Sequence, residues 1–120
     1  METKIRMSRS FARALAVANY IMSSEELQNE LSGEGTIYIE AYQNGREQGI
    51  TVWDTRISDS MRKNTTYYVA ENRNSDKVVV YVGPYSMQSI SVEAYKHKNY
   101  FSNPEEAANW IIEQLISENV

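Results

Sequence analysis

The chain contains no cysteine. Disulfides, thiolate nucleophiles and zinc–sulfur sites are excluded with it, and the composition is compatible with a reducing cytosol. Histidine is nearly absent too. The single one, His97, lies in YKHKNYF. A catalytic role there needs a carboxylate or a nucleophile brought to it by folding. Without Cys and with one His, only carboxylates remain as metal ligands, and D-x-D-x-D-G spacing is missing. Gly33-Glu34-Gly35 is too short for a phosphate-cradling loop. No metal, no cofactor and no enzymatic reaction are therefore expected. No apolar run reaches the roughly 18 residues of a spanning helix, so the expected place of work is the cytoplasm and not a membrane. The N-terminal METKIRMSRSFARALAVANY faintly resembles a secretion signal, but Arg13 and Asn19 interrupt its apolar run, and it reads better as a helix. Positive charge is also short. A net charge of −4 argues against a protein held on duplex DNA by phosphate neutralisation.

What is present is aromatic and patterned. Nine tyrosines and two tryptophans in 120 residues are foreign to a disordered chain. The length fits one domain, 1–120, with a core that needs no staples. The strongest local signal is Asn44-Gly45 between two alternating runs, TIYIEAYQ and REQGITVW. A type I′ turn there sets Gln43 opposite Arg46, Ala41 opposite Gln48, Ile39 opposite Ile50 and Ile37 opposite Val52. Ile37, Ile39, Ile50 and Val52 then share one apolar face. Tyr38, Tyr42, Thr51 and Trp53 share the other, with Glu40 and Glu47.

Helices flank this region. Phe11, Ala14, Leu15, Ala18, Ile21 and Met22 recur at helical spacing after a cap at Ser8 or Ser10. Ser23 with Glu26 has capping-box spacing, so a short second helix should run to Leu31 and stop at Ser32-Gly33. Asn103-Pro104-Glu105-Glu106 is a dense start signal: Asn caps, Pro suits the first turn, and the acids meet the positive helix end. That helix should reach about Ser117 and bury Ala108, Ile111, Ile112, Leu115 and Ile116.

Further strands are expected at 65–71 (TTYYVAE), 77–82 (KVVVYV, apolar enough to be central) and 89–95 (SISVEAY). The last shares I-x-[I/V]-E-A-Y with 37–42, as two half-buried strands meeting one demand. The second strand should run past Trp53 toward Ile57. The expected fold is α+β, in two layers. An N-terminal helical segment (1–33) and a C-terminal helix (103–118) cover one face of a meander-like antiparallel sheet of about five strands (36–95). The covered face should carry Ile37, Ile39, Ile50, Val52, Ile90 and Val92.

Two features point to partners. Tyr38, Tyr42, Trp53 and Tyr95 fall on the sheet face opposite the expected core, where large rings bury area at small entropic cost. Trp110 sits about 200° around its helix from Ala108, between Glu106, Glu113 and Ser117, where an exposed indole would be an anchor. The blander readings are cross-strand pairing on a solvated sheet, a loop at 58–64 covering the face, and an indole folded onto Tyr100. Basic residues cluster at Lys4, Arg6, Arg9 and Arg13, and a local patch could form from Arg62, Lys63, Lys96 and Lys98.

The first expectation is a non-enzymatic protein-binding module, an adaptor or small inhibitor, with self-association as a homodimer included. At fold level such a small acidic sheet with helices on one side resembles compact accessory proteins of bacteria and phages, several of which occlude a larger machine. The second is a single-stranded nucleic-acid binder stacking bases on sheet tyrosines. The third is a small enzyme or ligand-binding domain using His97.

Overall fold

A computed structural model of the chain describes residues 9–30, 37–44, 47–54, 66–71, 77–83 and 97–117. The elements follow in the order α1 (Arg9–Met22), α2 (Glu25–Glu30), β1 (Ile37–Asn44), β2 (Glu47–Asp54), β3 (Thr66–Glu71), β4 (Val78–Gly83), β5 (His97–Phe101) and α3 (Pro104–Ser117). The strands pair antiparallel in sequence order, β1-β2-β3-β4-β5. This is the expected α+β meander, with the helices packed on one sheet face. β3 is its middle strand, and the apolar β4 is interior beside it.

Helix starts are set locally. The Glu106 N–H donates to Asn103 Oδ1 at 2.9 Å, and the Glu106 carboxylate reaches back to the Ser102 N–H at 3.3 Å. The first satisfies a donor that a helix N-terminus leaves open, and the second ties the helix to the residue just before its cap. The cap of α2 is Ser24, whose Oγ accepts from the Leu27 N–H at 3.1 Å. Ser23, the expected cap, still belongs to the end of α1, because its N–H bonds the Asn19 carbonyl at 3.0 Å. The end of α2 at Glu30 is described, whereas Leu31 and the Ser32-Gly33 stop lie outside the described residues.

The buried stripe of α1 is Ala14, Val17, Ala18 and Ile21. It is rotated from the expected one, in which Leu15 and Met22 took part. Leu15 is half-buried and Met22 is exposed. The i, i+3, i+4, i+7 spacing of the observed stripe centres on Ala14 and Ala18, and α1 packs against α3. The side chain of Phe11 is outside the described set.

The hairpin register differs from expectation in an instructive way. Asn44 pairs with Glu47, Ala41 with Ile50, Ile39 with Val52 and Ile37 with Asp54. The expected partners were Ile50 for Ile39 and Val52 for Ile37. The two residues left between the strands are 45 and 46 instead of 44 and 45. The sequence carries this competing signal, since Gly-X is itself a two-residue hairpin signature. Moving the turn by one residue moves each partner by two, and the side-chain period in a strand is two. The faces are therefore unchanged.

Ile37, Ile39, Ile50 and Val52 do share the helix-covered face. With Tyr67, Val69, Val78 and Val80 they meet Ala14, Val17, Ala18 and Ile21 of α1, Leu27 of α2 and Ala107, Ala108, Ile111, Ile112 and Leu115 of α3. The strand expected at 89–95, with Ile90 and Val92, lies outside the described residues, as does the stretch from 55 toward Ile57 and the loop at 58–64. The fifth described strand is His97–Phe101. The opposite face has its own buried cluster of Tyr68, Ala70, Val79 and Tyr81.

Candidate protein-binding surface

The two tryptophans chosen as exposed anchors are not exposed. Trp53 retains 5% of its surface. β2 is an interior strand with neighbours on both sides, and the ring of Tyr38, directly opposite in the register, stacks on the indole at 5.1 Å with 11° between planes. Trp110 is half-buried and joins the main core. Tyr67 meets it edge-on at 5.9 Å and 85°, and Phe101 lies tilted against it at 5.8 Å and 46°. The expected stripe omitted Ala107, which is fully buried. Including it turns the stripe toward Trp110, which is one turn further along on that flank. The indole is then about 130° from the stripe centre, taking 100° per residue. A ring of that reach, leaning toward the helix N-terminus, can cover the edge of the core beside Phe101.

Glu106 and Glu113 are exposed. The carboxylate of Glu106 is engaged at the helix start, and the Glu113 carbonyl accepts a bond from Ser117 Oγ at 2.8 Å. With Trp110 turned inward, these acids no longer frame an aromatic anchor. Tyr42 lies opposite Gly49 in the hairpin, with its side chain outside the described set, while Tyr95, Arg62, Lys63 and Lys96 fall outside it altogether. His97 opens β5 opposite Val82, with its side chain outside the described set. Among the described residues no cluster of three or more His, Asp or Glu could hold a metal ion, and no helix is long and apolar enough to cross a membrane.

Among the described residues, four large apolar or aromatic side chains are exposed: Tyr20 at 47%, Met22 at 56%, Tyr38 at 46% and Tyr100 at 56%. Tyr38 was expected. Tyr100 was not, because HKNYF is a weak strand pattern. Its alternation nevertheless sets Lys98 and Tyr100 on one face and Asn99 and Phe101 on the other. Lys98 is exposed, and its Nζ stands 5.9 Å from the ring centroid of Tyr81, its cross-strand partner. One cross-sheet row runs Glu40, Thr51, Tyr68, Tyr81, Lys98. Thr51 and Tyr68 in its middle are fully buried. The far face is therefore closed at its centre, with exposed tyrosines at the rims on β1 and β5.

Comparisons with protein-family models, curated proteins and solved structures gave no match to this chain. Its function is argued from its own residues.

Proposed function

We propose that this chain is a non-enzymatic protein-binding module of the cytosol, an adaptor or small inhibitor, whose contact surface is centred on Tyr38. The observation that carries this reading is the stack of a half-exposed Tyr38 on a buried Trp53. Stacking on an immobile indole fixes the tyrosine ring before any partner arrives. A prefixed ring costs little further entropy on binding, which is what distinguishes hot-spot aromatics from ordinary surface ones.

The test is capture of a partner from a lysate of the source cells, followed by affinity measurement with the purified pair. Tyr38→Ala should weaken that affinity by about 2 kcal/mol or more, roughly thirtyfold. Met22→Ala, on the opposite layer, should leave it unchanged. Equal affinity for wild type and Tyr38→Ala would remove Tyr38 as the contact.

A second reading has one observation in its favour. Lys98 and Tyr100 sit side by side on the far face of β5, both exposed. An ammonium beside a tyrosine ring suits a single-stranded nucleic acid, the ring stacking a base and the charge meeting a phosphate. Oligonucleotide titrations at low and high salt separate the two readings, and absence of binding at low salt eliminates this one.

A further inference from the structure

We propose that the outer edge of β1 pairs antiparallel with the same strand of a second copy of this chain, joining two five-stranded sheets into one. In a two-residue hairpin the closing pair, here Asn44 with Glu47, exchanges both backbone hydrogen bonds. Alternation then turns the backbone groups of Tyr38, Glu40 and Tyr42 toward β2, and those of Ile37, Ile39, Ala41 and Gln43 outward. Among the described residues no strand runs along that edge.

Three features of β1 and β5 favour a second copy as the occupant. First, β1 is eight residues long, IYIEAYQN, and has neither the lysine nor the proline that commonly protects an edge. Second, its side chains on the core face are imperfectly covered. Ile37 and Ile39 are only half-buried although they belong to the core face, and Ala41 is exposed. A copy of β1 would bring the same apolar residues alongside and continue that face across the boundary. Third, the opposite edge is unlike it. β5 has five residues and presents Lys98. Pairing of β1 with β5 of another copy would repeat head to tail, into a ring or a filament, whereas β1 with β1 closes at two on a two-fold axis. The short edge with its lysine disfavours the first, so association stops at two. The contact is a single strand pair, small by the standard of permanent interfaces, so the dimer is reversible and concentration-dependent.

This surface is distinct from the Tyr38 ring, which projects from the far face. Sedimentation velocity of the full chain over a micromolar to millimolar range tests it. Wild type should shift reversibly from monomer to dimer. Ala41→Pro deletes one outward N–H and should remain monomeric throughout, with an unchanged far-ultraviolet circular dichroism spectrum. Should the proline disturb folding, Ala41→Lys decides the matter, since it keeps the backbone and sets an ammonium at the edge. It should weaken dimerisation at least tenfold. Tyr38→Ala should still dimerise, which separates this proposal from the partner-binding one. A wild-type chain that stays monomeric to millimolar concentration would overturn the proposal. So would a dimer that persists undiminished in folded Ala41→Pro or Ala41→Lys.

Discussion

The two faces of this sheet are both buried at their centres, and they are built from different chemistry. The helix side is aliphatic: Ile50, Val52, Val69, Val78 and Val80 under alanines, isoleucines and Leu115, with Tyr67 the one fully buried ring among the described residues. The far side is a smaller cluster of Tyr68, Ala70, Val79 and Tyr81, with Trp53 near it and Tyr38 and Tyr100 at its rims. Aliphatic side chains fill space without orientation. Tyrosines carry a hydroxyl that needs a partner when buried, and rings prefer particular mutual angles. The first face is suited to holding the layers together. The second presents rings of fixed orientation, buried at the centre and open at the edges.

The sharpest test of that contrast compares one large side chain from each face. Tyr68→Ala should destabilise the fold by about 3–5 kcal/mol and Leu115→Ala by about 2–5 kcal/mol, read from urea unfolding at equilibrium. Both residues are fully buried. Should Tyr68→Ala cost under about 1 kcal/mol, the far side would be a decorated surface and not a second core.

Trp110 lies at the border of the aliphatic face, so Trp110→Ala is expected to cost an intermediate amount, about 1.5–3 kcal/mol. Its fluorescence should respond to Tyr67→Leu if the edge-on contact is the main one. A cost within about 0.5 kcal/mol would return the indole to solvent. The smallest effect belongs to the rim. Tyr100→Ala should change stability by no more than about 0.5 kcal/mol, since more than half of the side chain is already in water. A larger loss would extend the far cluster out to β5.

How much of this was readable in the sequence depends on range. Asn103-Pro104-Glu105-Glu106 announces its helix through bonds spanning three or four residues, and the structure contains them. The meander follows from runs separated by turn formers. Face assignment in the hairpin survives a misplaced turn, because two-residue partner shifts preserve the pleat. The fate of the tryptophans was not readable. Trp53 is buried with Tyr38 stacked on its ring, and Trp110 meets Tyr67 and Phe101, residues distant from it or placed by a strand with a weak pattern. Helical angle alone treats every side chain as a short vector, and an indole is long enough to bend the rule. The partner-facing role of Tyr38 was proposed from its position. The stack on Trp53 supplies a physical reason for rigidity that periodicity does not contain.

The meander has a consequence for the order of events in folding. Each strand pairs with its sequence neighbour, so the sheet can assemble one sequential strand pair at a time, without long-range crossovers. The helices are otherwise: α1 precedes the whole sheet, α3 follows it, and the two pack on each other. On a ribosome, α1 emerges before the strands, and all of them are made before its partner helix exists. Until α3 is made, the aliphatic side of a formed sheet has only part of its roof. A chain ended before Pro104 lacks Ala107, Ala108, Ile111, Ile112 and Leu115, and so leaves part of that aliphatic face open to water.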